Sequence, residues 1–212
     1  MSRTSADDAV VMYSDYVCPF CYLGKESLAQ YRNEREEPLD VEWHPFDLRG
    51  HKRGPSGEID ESVEDGKDDA YYEQAKENVR RLQEEYGVEM DLDIATDIDS
   101  WNAQQASLYV RREQPEAFAD FHEAVYDALW TESEDIGDPD VLASIAEEVG
   151  VDPDGVREAI EDDELEAELA ESFESAQRTG VTGVPTFAYN GHAARGAVPP
   201  SQLQRLVDGV GN

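Results

Sequence analysis

The chain has 212 residues, 39% of them hydrophobic, with 17 basic against 50 acidic side chains and a formal net charge of -33. That size and apolar share fit one large domain or a domain carrying an insertion. The charge excludes nucleic-acid phosphates as partners, since those need a basic surface, and disfavours docking on anionic membranes.

The opening Met1-Ser2-Arg3-Thr4-Ser5-Ala6-Asp7-Asp8 has no apolar leader. No apolar run in the chain approaches the ~20 residues of a membrane span. A cytoplasmic location is therefore expected. Val11-Met12-Tyr13 is the first apolar run and reads as a strand, with Ser14-Asp15-Tyr16 as the turn after it. Val17-Cys18-Pro19-Phe20-Cys21 follows and holds the only two cysteines. Tyr22 to Tyr31 then reads as helix, and Pro19 suits its first position, where a missing N–H removes nothing.

A Cys-x-x-Cys between a strand's end and a helix's first turn is the arrangement of a thiol-disulfide site. The helix start favours negative charge on Cys18, and a thiolate is the nucleophile of disulfide exchange. Cys21, one turn on, is placed to resolve a mixed disulfide. Two other readings of the pair stand beside this one. It could be half of a zinc site, but His44, His51, His122 and His192 show no ligand spacing to complete four ligands, so no metal is expected. It could also be two small apolar residues packed in a core.

After Pro38, Leu39 to Phe46 alternates apolar and polar, a strand with one buried face. This gives a β–α–β start and a parallel strand pair. Residues 47–68 are rich in Gly, Pro, Ser and Asp and read as a loop, either a lid or a disordered connector. From there to about residue 178 the period is helical. Tyr72, Ala75, Val79, Leu82 and Tyr86 form one stripe, ended by Gly87. Ser100 is placed to cap a helix bearing Ala103, Ala106 and Val110. Phe118, Phe121, Val125 and Leu129 make the next stripe. Asp138-Pro139 and Asp152-Pro153 are each a cap followed by proline at the first helical position. Leu165, Leu169, Phe173 and Ala176 complete the helical region.

Gly180 to Tyr189 returns to strand chemistry, and Asn190-Gly191 signals a type I′ hairpin into His192–Gly196. Pro199-Pro200 opens a final helix with Leu203, Leu206, Val207 and Val210. The order β–α–β, many helices, β–β–α predicts an α/β protein with a four-stranded sheet split by a large α-helical insertion. That pairing brings Pro185 beside Cys18.

The acids are spread over helix faces (Glu34, Glu36, Glu37; Glu84, Glu85; Glu147, Glu148; Glu161 to Glu164), and lysine is scarce beside arginine. Such a coat matches the cytosol of an extreme halophile, where molar salt cuts the screening length to ~3 Å and quenches self-repulsion. Loss of structure at low salt is the expectation.

With Cys18-Pro19-Phe20-Cys21 and Gly183-Val184-Pro185-Thr186-Phe187 both present, the chain resembles the DsbA family of thioredoxin-fold oxidoreductases. Within it the likeness is to the FrnE-like branch, in a haloarchaeal setting. Trp43-His44-Pro45-Phe46-Asp47-Leu48 and Gly196-Ala197 before a proline-opened helix support this, and the likeness covers essentially the whole chain. It implies a thioredoxin-like domain from residues 1–48 and 179–212, with 49–178 as a helical insertion whose last helix bridges back. It also implies a cis Val184–Pro185 bond facing the cysteines, with Val184 and Pro185 orienting a substrate chain. Pro19 and Phe20 would flank that substrate.

Strongly oxidising periplasmic members carry histidine where this chain has Phe20, so a less oxidising disulfide and an apolar substrate contact are implied. The function implied is thiol-disulfide exchange on a protein or small-molecule thiol or disulfide, without cofactor, by a monomer or homodimer. Relatives sharing this fold and insertion include isomerases and kappa-type glutathione transferases acting on small aromatics. Asn102 reads as an exposed polar residue or as lining such a pocket, and those relatives keep one nucleophile, often serine, at the position of Cys18. A non-enzymatic redox-sensing module that binds peptides is the third reading.

Overall fold

The computed structural model describes residues 9–54, 57–60, 62–63, 66, 69–92 and 98–209. The opening stretch 1–8, parts of the 47–68 loop and Val210 lie outside the described residues. β1 (Val10–Ser14) buries every second residue, as a strand inside a sheet does. β2 (Val41–Pro45) runs parallel to it, setting Met12 against Trp43, and β3 (Thr186–Tyr189) runs antiparallel on the other side, setting Met12 against Phe187. β4 (His192–Arg195) pairs antiparallel with β3 and completes the order β2-β1-β3-β4. Asn190 and Gly191 both take positive φ, 49° and 79°, which suits the two-residue hairpin turn expected there.

Helix α1 (Pro19–Glu34) joins β1 to β2. Between β2 and β3 come α2 (Asp69–Tyr86), α3 (Trp101–Glu113), α4 (Phe118–Trp130), α5 (Pro139–Glu148), α6 (Pro153–Ile160) and α7 (Asp163–Arg178), and α8 (Pro200–Asp208) follows β4. This is the mixed α/β order expected from the sequence, with four strands and a long helical run between its halves.

Asp138 and Asp152 cap α5 and α6 as expected, accepting from Asp140 N at 2.8 Å and Asp154 N at 3.1 Å. Such caps contribute about 1 kcal/mol each. Asp162 does the same for α7, accepting from Glu164 N and Leu165 N. Ser100 does not cap α3 with its side chain. Its hydroxyl donates instead to Asp15, a buried carboxyl and a stronger acceptor, while Asp99 Oδ1 takes Trp101 N at 3.1 Å.

The α2 stripe is buried only where it meets Leu23 of α1, through Val79, Leu82 and Tyr86. Tyr72, expected inside, is 45% exposed beyond that contact. The start of the 47–68 loop is neither free nor featureless. It holds a 3₁₀ turn at Gly50–Lys52 and a bridge between Arg53 and Ile59. Arg53 donates to Asp47 at 2.8 Å and to Asp99 at 2.9 Å, with its guanidinium over the Trp101 ring.

α1 and α8 share one core with the sheet through Val10, Met12, Leu28, Phe187 and Leu203. The helices between β2 and β3 build a second core around Phe121, Val125, Leu129 and Leu169, and that core runs on without a break into Tyr16, Cys18, Cys21 and Trp43.

Candidate active site

Cys18 ends the turn after β1 and stands at the N-cap of α1, with extended backbone (φ -95°, ψ 112°), and Pro19 fills the first helical position. Its carbonyl accepts from Cys21 N at 2.9 Å, which places the second cysteine one turn on. Both cysteines are free thiols and both are buried. Cys21 has no exposed surface, and burial pushes its thiol well up, with Cys18 beside it adding to the rise. A Cys21 thiolate is thus the costly species in any exchange here.

Across from the thiols, the Cys18 sulfhydryl donates to the Val184 carbonyl at 3.7 Å. The Val184–Pro185 peptide bond is cis, and Pro185 O accepts from Gly196 N at 2.8 Å, which ties it to the end of β4. Gly24 of α1 makes this approach feasible. A Cβ at that position would lie 3.1 Å from Pro185 Cγ and 3.1 Å from Phe187 Cζ, tighter than ordinary packing. A glycine inside a helix costs about 1 kcal/mol relative to alanine, and the close crossing of helix and strand explains it. Pro19 and Phe20 are half-buried. Phe20 packs on the α1–α2 cluster around Leu23 and Val79 as well as on the core behind the thiols, so only part of its ring remains to meet a substrate.

The turn before the motif is braced by Asp15, which is 1% exposed. Its Oδ1 accepts from the Ser100 hydroxyl at 2.5 Å, Val17 N at 3.3 Å and Gln104 Nε2 at 3.4 Å, and its Oδ2 accepts from Leu48 N at 2.8 Å. One carboxyl thus joins the motif turn to the segment after β2 and to α3. Burial pushes Asp15 up to about 6 against the pull of these donors.

Behind the thiols stands a wall of aromatic side chains from α4. Tyr16 OH meets Ser107 Oγ at 2.6 Å and His122 Nδ1 at 2.5 Å, and Trp130 Nε1 donates to Tyr16 O at 2.8 Å. Burial holds His122 down at about 3, so it is a neutral ring in this cluster. Tyr126 lies 4.7 Å from Tyr16 and 5.9 Å from Tyr22, centroid to centroid. Tyr22 OH donates to Asp127 at 3.1 Å, closing α1 onto α4.

Other expected residues fall elsewhere. His44 sits against Tyr13 with Nδ1 2.9 Å from Pro45 O, and the Asn102 amide donates to Gly137 O at 2.7 Å; both serve local structure. Among the described residues no group of three or more His, Cys, Asp or Glu is arranged to hold a metal, and no helix is long and apolar enough to cross a membrane. An open cavity of about 390 Å³ lies at the far end of α1, lined by Tyr31, Arg35, Pro200 and Asp208, away from the thiols. Asp15, Gly24 and Tyr126 were not singled out from sequence. The signal available for Gly24 was a glycine within a helical pattern, and for Asp15 a lone charge between a buried strand and an aromatic.

A dithiol at the start of the helix that follows β1, faced by the Val184–Pro185 peptide just before β3, defines a thioredoxin-type fold with a redox-motif geometry. Residues 9–208 match the DSBA-like thioredoxin domain. The chain belongs to that family. It is 27% identical over 202 residues to YwbO, an uncharacterized protein of Bacillus subtilis, covering 93% of this chain and 94% of that protein. It is also 27% identical over 180 residues to 2-hydroxychromene-2-carboxylate isomerase of Sphingobium xenophagum, covering 82% of this chain and 84% of the isomerase. Its fold is similar to that of the cytosolic disulfide reductase DsbM of Pseudomonas aeruginosa, with a TM-score of 0.62 and 19% identity over 95% of this chain and 93% of that one. DsbM has also been solved with GSH.

Proposed function

We propose that the protein is a thiol-disulfide oxidoreductase working by exchange at Cys18 and Cys21. The observation that carries this reading is the Cys18 sulfur at the helix N-cap, 3.7 Å from Val184 O, with Cys21 one turn behind it. Cys18 as thiolate attacks a substrate disulfide and the substrate's first sulfur leaves as thiolate. Cys21, deprotonated, then attacks Cys18 and releases the second. Val184 and Pro185 form the rim along which a substrate chain lies, and Pro19 with the open part of Phe20 forms the other. The substrate is a protein or small-molecule thiol or disulfide, and the solved complex of DsbM with GSH makes glutathione the first small molecule to test.

In this reading residues 1–48 and 179–212 are the thioredoxin-like domain and 49–178 the insertion. The motif residues fit the FrnE-like branch, and the acidic coat fits a salt-rich cytoplasm. Melting in molar KCl and in dilute buffer checks the last point: a strong loss of stability at low salt is expected, and equal melting temperatures would remove the halophilic reading.

Reduction of insulin disulfides tests the activity. Wild type is expected to turn over while Cys18→Ser and Cys21→Ser are both inactive. The similarity to 2-hydroxychromene-2-carboxylate isomerase favours a second reading, a single-nucleophile enzyme on small aromatics. Full activity on such a substrate after Cys21→Ser would establish that reading instead.

A further inference from the structure

Tyr126 projects from α4 into the core that contains Cys18 and Cys21, and no part of it reaches solvent. Its ring is fixed between Tyr16, two residues before Cys18, and Tyr22, the residue after Cys21. Its hydroxyl has no hydrogen-bond partner. Burial holds the phenol far above its ordinary range, and Cys21 is the neighbouring charge that adds most to the rise. The Ser14 side chain eases it, but Ser14 Oγ, which accepts from Trp43 Nε1 at 3.0 Å, forms no hydrogen bond with the Tyr126 hydroxyl. A buried hydroxyl without a partner is costly to the fold, and a redox or catalytic role is one of the explanations such a group calls for.

We infer that the Tyr126 hydroxyl is the hydrogen-bond donor that receives Cys21 as a thiolate during exchange. This rests on the dithiol reading above and names the group that makes its hardest species accessible. When an external thiolate attacks the Cys18 sulfur of the disulfide form, a new S–S bond forms to Cys18 and the Cys18–Cys21 bond breaks. The electron pair goes to Cys21, deep in an apolar core. Tyr126 donates a hydrogen bond to that sulfur and keeps its proton; the proton that neutralises Cys21 comes from the thiol pool through solvent. In the reverse direction the same contact steadies the Cys21 thiolate that attacks the mixed disulfide. Because both end states carry Cys21 neutral or bonded, the contact acts on the rate of opening and closing and leaves the end-state equilibrium nearly unchanged.

The test compares Tyr126→Phe with wild type in molar KCl, since phenylalanine keeps the ring contacts and removes only the hydroxyl. Reduction of the disulfide form by dithiothreitol, followed by acid quench and thiol alkylation, is expected to slow about tenfold, as loss of one hydrogen bond to a charged group does. The melting temperature is expected to hold or rise. In a Cys21→Ser background, attack by Cys18 on an aromatic disulfide is expected to be equally fast with tyrosine or phenylalanine at 126, because the donor acts through Cys21. Equal reduction rates of the two proteins, the same slowing in the Cys21→Ser background, or a lower melting temperature for Tyr126→Phe would each overturn the inference. Failure of wild type itself to form and open a Cys18–Cys21 disulfide would instead sink the dithiol reading, and the role of Tyr126 with it.

Discussion

Asp15 and Tyr126 are equally hidden, at 1% and 0% exposure, and both bear on Cys21, yet Asp15 gathers Ser100, Val17, Leu48 and Gln104 as donors while Tyr126 has no partner. The turn before the cysteines and the helix wall behind them therefore solve the same problem differently. On the Asp15 side both carboxyl oxygens are answered, although Gln104 Oε1 has no partner, and the carboxyl works as a tie between β1, the segment after β2 and α3. On the Tyr126 side an unanswered hydroxyl is kept in the core that holds Cys21, the thiol that passes through an anionic state in the proposed exchange. A satisfied buried group holds the motif in place; an unsatisfied one is available to the chemistry.

The largest effect expected on that contrast comes from Asp15→Ala, which strands several buried donors at once and is expected to cost about 3 kcal/mol in urea unfolding. Asp15→Asn gives a finer view. In the folded protein the Asp15 carboxyl is raised to about 6 by burial, against 3.8 for the ordinary group. Its contribution to stability is thus fully present below about pH 4 and is lost as the pH rises through 6, a change of about 3 kcal/mol for that shift. The difference between wild type and Asp15→Asn is expected to follow that window; a difference that does not vary between pH 4 and 7 would show that Asp15 is not held up by burial.

Gly24→Ala comes next. The new Cβ would press on Pro185 and Phe187 at 3.1 Å, and overpacking of this kind costs ~1–3 kcal/mol, offset by about 1 kcal/mol of helix propensity. A net loss of about 1 kcal/mol with slower exchange is expected, since Pro185 follows Val184, whose carbonyl meets the Cys18 sulfur. Tyr126→Phe stands at the small end for stability, with no loss expected, although its effect on rate is the larger signal.

The elements legible from sequence are those whose cause is local. The Asp138 and Asp152 caps, the Asn190-Gly191 turn, the alternation of β2 and the placing of Cys18 before Pro19 each depend on residues a few positions apart. The approach of the segment before β3 to Cys18, seen in the Val184 carbonyl at the Cys18 sulfur, was also within reach, because two short strand patterns flank one long helical run. What stayed hidden lies across 85 to 106 positions, in Ser100 on Asp15 and His122 on Tyr16. Such contacts leave no periodic trace. Ser100 reads as an ordinary cap until a buried carboxyl claims its hydroxyl, and Tyr126, beside the α4 stripe, reads as bundle core. Tyr72 failed in the other direction, because periodicity records an amphipathic face without recording how far the opposing helix extends.

The most direct test of the account is to trap the exchange itself. Incubation of the reduced protein with oxidised glutathione, followed by intact-mass analysis and peptide mapping, is expected to show Cys21→Ser accumulating one glutathione adduct on Cys18. Wild type is expected to pass on to the internal disulfide, and Cys18→Ser to remain unmodified. An adduct that forms first on Cys21, or a wild type that keeps the adduct without closing the Cys18–Cys21 bond, would contradict it.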